Sequence, residues 1–354
     1  MNLKVAQLFV LEKMPDYEGM LKQAGLEVEM VKEMSLTEEA IIENGEDAHA
    51  IICVGTLQPF SKKVMDNLKK CRFISSMGIG YDKVDLKAAT ENGILVANIP
   101  DYCLEEVSDH LMALILSCTR RIIQLNNVVK KGEWKGTVDP DIGQNIWPAM
   151  TSLNGQTLGL IGFGGVSRAL VPKAKGFGLK VIAYDPYVPS KIFRDLHVKE
   201  VKDLDELITE ADIVAPNANL TNESRHIIGL EQLKKMKPTA CIVNTARGSL
   251  IDPKALYTAL TEGYISMAAV DVTEPEPIPA DDPLLKLHNF VVTAHSAHFS
   301  PSAWEKLLNR PGEDIIKFFK HGELPKGLLN PEIKEEYVRK WGESPKFGKE
   351  EALS

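Results

Sequence analysis

Short apolar runs alternate with amphipathic stretches along most of this chain. Residues 4–10, 50–54, 72–76 and 94–98 read as strands, and residues 18–24, 37–44 and 62–70 read as helices between them. Such alternation predicts a parallel sheet covered by helices. Residues 103–131 carry Leu104, Val107, Leu111, Leu114, Ile115, Ile122 and Leu125 on a helical period and predict one long helix. That helix could bridge two domains, line an oligomer contact or lie in a core. Residues 132–156 carry Gly, Pro, Asp and Asn without a period and predict a loop. The alternation then resumes. Residues 180–184, 211–215, 240–244, 267–271 and 290–293 are strand candidates; 204–208, 230–236 and 253–261 are helical. Residues 301–320 predict a helix broken at Arg310-Pro311-Gly312. From Pro331 the chain is rich in Lys and Glu, with Tyr337 and Trp341 as its few anchors, and predicts a loosely packed tail.

One stretch organises the rest. In residues 157–167, Thr-Leu-Gly-Leu-Ile-Gly-Phe-Gly-Gly-Val-Ser, a buried-strand run containing Leu158, Leu160 and Ile161 leads into a glycine turn and then a helix start. A dinucleotide site needs this succession. Gly162 permits the tight turn, Gly164 lets the backbone approach a pyrophosphate, and the helix N-terminus offers unpaired N–H groups. Ser167 takes the third glycine position. Asp185 follows the strand 180–184, about 20 residues on, where a carboxylate accepts ribose hydroxyls and repels a 2′-phosphate. This favours NAD over NADP; Asp185 also stands where an Asp-Pro turn opens. Two further glycines in Ser76-Met-Gly-Ile-Gly-Tyr-Asp82 follow a strand and could present N–H groups to an anion.

Composition narrows the class. The chain has 354 residues, 44% hydrophobic and 25% charged, which suits two soluble domains. A net charge of −8 with scattered basic residues gives no support for a nucleic-acid or membrane partner. No secretory signal pattern opens the chain, and no apolar run approaches membrane-spanning length. Cys53, Cys71, Cys103, Cys118 and Cys241 are odd in number and share no metal-like spacing, so they read as the reduced cysteines of a cytoplasmic protein, and no metal site is expected.

Three polar residues follow the later strands, where open α/β sheets place their sites. Arg247 comes after Val243-Asn-Thr-Ala, Glu276 lies in Asp271-Val-Thr-Glu-Pro-Glu-Pro, and His295 comes after Val291-Val-Thr-Ala. A guanidinium is a two-point clamp for a carboxylate. A histidine can give or take a proton near neutrality, and a neighbouring glutamate would orient it and favour its charged form. His298 and His288 compete with His295 for that role.

These motifs together resemble the D-isomer-specific 2-hydroxyacid dehydrogenases, in the branch of phosphoglycerate dehydrogenase and hydroxypyruvate reductase. The resemblance covers roughly residues 45 to 330. Besides the glycine turn and Asp185 it rests on Met77-Gly-Ile-Gly-Tyr-Asp-Lys-Val-Asp85, Gly93-Ile-Leu-Val-Ala-Asn98, Ala211-Asp-Ile-Val214, Met236-Lys-Pro238, Asn244-Thr-Ala-Arg-Gly-Ser-Leu-Ile-Asp252, Asp271-Val272, Glu276-Pro277, and Thr293 with His295. It implies two parallel-sheet domains. A flavodoxin-like substrate domain (residues 1–102 and 299–330) would be interrupted by a Rossmann NAD-binding domain (103–298), with 331–354 as the charged tail. It further implies catalytic Arg247, Glu276 and His295, and a substrate carboxylate met by Arg247 and by backbone N–H groups of Gly78 and Ile79. Cofactor contacts would fall on Gly162, Gly164, Gly165, Val166, Asp185, Thr221, Thr245, Ala246, Arg247, Asp271, His295 and His298. The implied reaction is hydride transfer between NAD and C2 of a small 2-oxo or 2-hydroxy acid, in a homodimer formed through the NAD-binding domain.

The chain departs from the family in places. Ala294 and Asn219 stand where proline is usual, which leaves the local cofactor loop less rigid, and His298 stands where many members have glycine or tryptophan. Gly55-Thr56 replaces the Arg-Ser pair of phosphoglycerate dehydrogenases, and no regulatory domain follows residue 330; both speak against a phosphorylated substrate. Formate and phosphite dehydrogenases share the scaffold, although Cys103 falls in the segment where formate dehydrogenases carry asparagine. An NAD-binding regulator resembling the transcriptional corepressors of this superfamily would keep the same triad, so the triad leaves that reading open.

Overall fold

The computed structural model describes residues 2–342 and 345–346. The chain divides into two compact units, one formed by the residues up to Tyr102 with those from Ser300 onward, the other by Cys103–Phe299.

The first unit holds a sheet of β1 (Leu3–Gln7), β2 (Val28–Lys32), β3 (Ala50–Cys53), β4 (Phe73–Ser76) and β5 (Leu95–Ala97). Its order is β2-β1-β3-β4-β5, all parallel, the flavodoxin-like order. The interior strands β3 and β4 are buried throughout and read as continuous apolar or small runs. The edge strand β2 escapes the sequence pattern, because only Val28 in it is buried. Two expectations fail in this unit. The helix Pro301–His321 runs unbroken through Pro311. Proline removes one helical donor, that for the Leu307 carbonyl, but Pro311 and Gly312 are buried, and the Tyr17 hydroxyl anchors the same turn by donating to the Leu308 carbonyl at 2.5 Å. A Cβ on Gly312 would meet Met20 Sδ at 2.4 Å, so the small residue there is a packing requirement. The tail after Pro331 is also not loose as far as Trp341. A short turn (Pro331–Ile333) and a helix (Lys334–Trp341) bury Ile333 and Tyr337 completely, and the Arg72 guanidinium stacks on Tyr337 and Trp341. Most of the remaining predicted tail, 343–344 and 347–354, lies outside the described residues.

The second unit holds seven parallel strands. They are β6 (Thr157–Ile161), β7 (Lys180–Tyr184), β8 (Lys199–Glu200), β9 (Ile213–Pro216), β10 (Cys241–Asn244), β11 (Met267–Val270) and β12 (Phe290–Val292). The order β12-β11-β10-β9-β6-β7-β8 is that of a Rossmann sheet, with the direction of winding reversing between β6 and β9. Leu158 and Leu160 enter the core on one face of the sheet and Ile161 the core on the other. The single helix expected over 103–131 is two, Leu104–Thr119 and Ile122–Lys130. Arg121 breaks it in a left-handed conformation (φ 52°), with its buried guanidinium donating to Ser266 Oγ and Met267 Sδ. The loop expected over 132–156 contains a helix, Pro140–Asn145, capped by the Asp139 carboxylate, and a 3-10 turn, Trp147–Ala149.

Candidate active site

Parallel strands bring all their C-terminal ends to one edge of the sheet. In the second unit that edge carries the glycine turn after β6, Asp185 after β7, Asn217 after β9, Thr245–Arg247 after β10, Asp271 after β11 and His295 after β12.

The glycine turn has the geometry its sequence predicts. Gly162 has φ +91°, and a Cβ there would lie 2.7 Å from the Ala218 backbone nitrogen. Gly164 caps the helix Gly165–Gly176 without any side-chain hydrogen bond, and a Cβ on it would meet nothing within 4 Å. The helix N-terminus therefore faces open space with its N–H groups uncapped by any side chain. The Ser167 hydroxyl donates to the Gly162 carbonyl at 2.7 Å and ties helix to turn. Asp185 Oδ2 accepts from Phe163 N at 2.8 Å and Oδ1 from Tyr187 N at 2.9 Å, so the carboxylate both braces the turn and opens the next one. Two buried polar atoms at this edge, Thr245 Oγ1 and Asn217 Oδ1, have no hydrogen-bond partner among the described residues. Buried polar atoms are rarely left unsatisfied. Together with the open space at Gly164 they suit a dinucleotide laid across the switch between β6 and β9. Thr221 lies in an exposed turn that it closes with Ser224, each residue's N–H donating to the other's hydroxyl.

Beyond β10, buried Asn244 shapes the turn that presents Arg247. Its Oδ1 accepts from Ala246 N at 2.9 Å and its Nδ2 donates to the Arg247 carbonyl at 2.8 Å. The next residue, Gly248, packs so closely on Thr273 that a Cβ would sit 2.1 Å from the Thr273 carbonyl. The Arg247 loop thus rests on the loop that carries Glu276.

Glu276 accepts a short hydrogen bond from His295 Nδ1. That bond leads the causes that hold the Glu276 carboxyl below its ordinary range; burial opposes it, and the Arg247 charge contributes. His295 has φ 49°, unusual for a non-glycine residue and a mark of functional sites. Asp271 fixes it there. Its carbonyl accepts from His295 N at 2.8 Å, and its buried carboxylate accepts from Ser296 N, Ala297 N and the Thr293 hydroxyl. His110, from the helix Leu104–Thr119, meets Thr293 Oγ1 at 3.1 Å. The His298 ring stands edge-on to His295, centroids 5.7 Å apart. Burial first, then the charge of His295, pushes His298 below the usual histidine range, with Asp271 opposing.

The structure thus brings Glu276 and His295 into direct contact, with Arg247 on the adjoining loop. Gly78 and Ile79 belong to the first unit, just after β4. Gly78 has φ +103°, and the two carbonyls accept from Ile99 N and Asn98 Nδ2, while their N–H groups have no partner among the described residues. His288 lies away from the site in the turn before β12, where its carbonyl accepts from Gln124. Asn217 and His110 escaped the sequence reading, which held Asn244 and Thr293 only as parts of motifs. Only His110, a polar residue within an apolar helical pattern, left a visible signal.

Comparison with known proteins agrees with this geometry. Residues 112–297 match the family model described as D-isomer specific 2-hydroxyacid dehydrogenase, NAD binding domain. The chain is 37% identical to a glyoxylate reductase of Korarchaeum cryptofilum, over 92% of this chain and 96% of the relative. It is 39% identical to a D-3-phosphoglycerate dehydrogenase of Methanocaldococcus jannaschii, over 86% of this chain but only 56% of that longer protein. Among solved structures, a glyoxylate reductase from Paecilomyes thermophila superposes with a TM-score of 0.82 at 26% identity, covering 94% of this chain and 99% of that one.

Proposed function

The chain belongs to the D-isomer-specific 2-hydroxyacid dehydrogenase family, and we propose that Arg247, Glu276 and His295 form its reaction centre and that its substrate is a small unphosphorylated 2-oxo acid of the glyoxylate kind. The protein is an NAD-dependent oxidoreductase that interconverts a 2-oxo acid and its D-2-hydroxy acid. The observation that carries the site assignment is the Glu276–His295 hydrogen bond on the sheet edge that also bears the glycine turn.

NAD, when bound, supplies or accepts the hydride. The uncapped helix start at Gly164 and Gly165, with Val166, would hold the pyrophosphate, Asp185 the ribose, and Thr245 and Asn217 would find their missing partners on the cofactor. Arg247 would clamp the substrate carboxylate and polarise the C2 oxygen. His295, held by Glu276, would give its proton to that oxygen in reduction and remove it in oxidation. On this reading Cys103–Phe299 is the NAD-binding domain and the other unit the substrate domain. The chain spans nearly the whole of the glyoxylate reductase relative, and Gly55-Thr56 supplies no cation for a phosphate; both favour the unphosphorylated substrate. The exposed Ile122, Val129, Trp134 and Trp147 support a homodimer through the NAD-binding domain, which light scattering tests. The buried thiols of Cys53, Cys71, Cys118 and Cys241 support a cytoplasmic setting.

The test is NADH oxidation with glyoxylate, pyruvate, hydroxypyruvate and phosphohydroxypyruvate. The proposal requires turnover of the unphosphorylated acids. A preference for the phosphate ester would overturn the substrate assignment.

A further inference from the structure

The strand ladder between β10 and β11 ends at Asn244 and Val270, with one more bond from Asp271 N to the Asn244 carbonyl. Arg247 and Glu276 both lie beyond it. Sheet pairing therefore does not fix these two side chains relative to each other, although the reaction needs them in one geometry.

Glu274 supplies a connection. It stands two residues before Glu276, and its carboxylate accepts from Arg225 Nη2 and from His226 Nε2, the latter at 2.7 Å. Ser249, two residues after Arg247, is among the groups that hold this carboxyl below its ordinary range. The Ser249 carbonyl accepts from His226 N at 2.7 Å, and Ile228 and Ile251 continue this contact as a parallel bridge. Three loops are therefore tied together through His226, which bonds by its ring to Glu274 and by its N–H to Ser249: 225–228, the Arg247 loop, and the Glu276 loop. Gly248 lies against Thr273 inside the knot. His226 has φ 52°, a strained value that persists only where the surroundings over-determine it. Burial pushes the Glu274 carboxyl up, but the bonds from His226 and Arg225 outweigh it and keep the group ionised at neutral pH.

We propose that Glu274, gripped by Arg225 and His226, is the positioning residue that sets Arg247 and Glu276 in register. The inference rests on the assignment of those two residues to the reaction centre. Among the described residues the Glu274 carboxylate bonds to Arg225 and His226. Its removal therefore disturbs two separate functions at once, substrate clamping by Arg247 and the hold of Glu276 on His295.

The experiment compares Glu274→Gln, Arg225→Gln and Glu276→Gln with the wild type, using the full chain, NADH and the best 2-oxo acid. Glu274→Gln keeps the shape and loses the charge. We expect its kcat/KM for reduction to fall at least about tenfold, since misplacement on the ångström scale costs up to about 10²-fold. Two signatures should move together, a raised KM for the 2-oxo acid and an alkaline limb displaced to lower pH. NADH affinity, read by fluorescence, should stay unchanged. Arg225→Gln should move both in the same direction by less, and it decides the matter if Glu274→Gln does not fold. His226→Gln, which keeps a donor for Glu274, should retain more activity than His226→Ala. An unmoved limb and KM in folded Glu274→Gln or Arg225→Gln overturns the proposal. If Glu276→Gln displaces the limb while Glu274→Gln does not, only the positioning role falls. If Glu276→Gln leaves the limb in place, the reading of the site falls, and the proposal with it.

Discussion

Replacing Gly248 with alanine tests how tightly the two reactive loops are locked. The added Cβ would lie 2.1 Å from both the carbonyl carbon and the oxygen of Thr273, against about 3.4 Å for ordinary contact. The loops must separate by about 1.3 Å, and both clashing atoms are backbone, so no side-chain rotation relieves the overlap. Overpacking of this kind costs about 1–3 kcal/mol of stability. The functional cost is larger, because the separation moves Arg247 away from Glu276. A shift of about 1 Å costs on the order of 10²-fold in rate. The assay is kcat/KM for reduction of the best 2-oxo acid, with NADH binding by fluorescence and a thermal melt as controls. Gly248→Ala should bind NADH normally, melt a few degrees lower and lose on the order of 10²-fold in kcat/KM. Activity within about threefold of wild type, at an unchanged melting temperature, would show that the loops are not interlocked as described.

Further outcomes follow from other parts of the molecule. Asp185 should disfavour the 2′-phosphate of NADP, so kcat/KM should favour NADH over NADPH by at least about tenfold, about 1.4 kcal/mol; equal efficiencies would remove Asp185 from the ribose site. Arg247→Lys keeps the charge but loses the fork, so NADH binding should persist while efficiency with 2-oxo acids falls; unchanged kinetics would make the arginine structural. Asp314 is 2% exposed, and burial raises its carboxyl to about 6 from 3.8. A raised carboxyl means the folded state holds its proton more tightly than the unfolded one, so stability is lost as pH rises from about 4 to about 6. Asp314→Asn should therefore stabilise the protein by up to about 3 kcal/mol near pH 7.5 and by much less near pH 4, in melts at the two pH values. A gain equal at both would assign the effect to packing.

What is legible in the sequence follows one physical rule. Interior strands of a parallel sheet are buried on both faces, so β3, β6 and β10 announce themselves as short runs of apolar or small residues, and the residues just beyond them mark the functional edge. Arg247, Asp271 and His295 stand out for that reason. The misses have the opposite origin, in contacts between residues distant in sequence. Arg121 ends a helix whose period continues, because Ser266 and Met267 hold its guanidinium. Pro311 fails to end a helix, because burial against Tyr17 and Met20 holds it together. The charged stretch after Pro331 hides Ile333 and Tyr337, two buried anchors enough to dock a helix. The grip of Arg225 and His226 on Glu274 spans nearly 50 residues and leaves no local pattern.

His295 is assigned the proton given to the C2 oxygen when a 2-oxo acid is reduced to its D-2-hydroxy acid. Pyruvate yields a chiral product and suits the test. The wild type and His295→Asn are each incubated with NADH and pyruvate, and NADH consumption is compared with D- and L-lactate resolved by chiral chromatography. The wild type should form one D-lactate per NADH consumed, and His295→Asn should run about 10²–10⁴-fold slower at undiminished NADH binding. An L-product, or a His295→Asn variant working at the wild-type rate, would contradict that assignment.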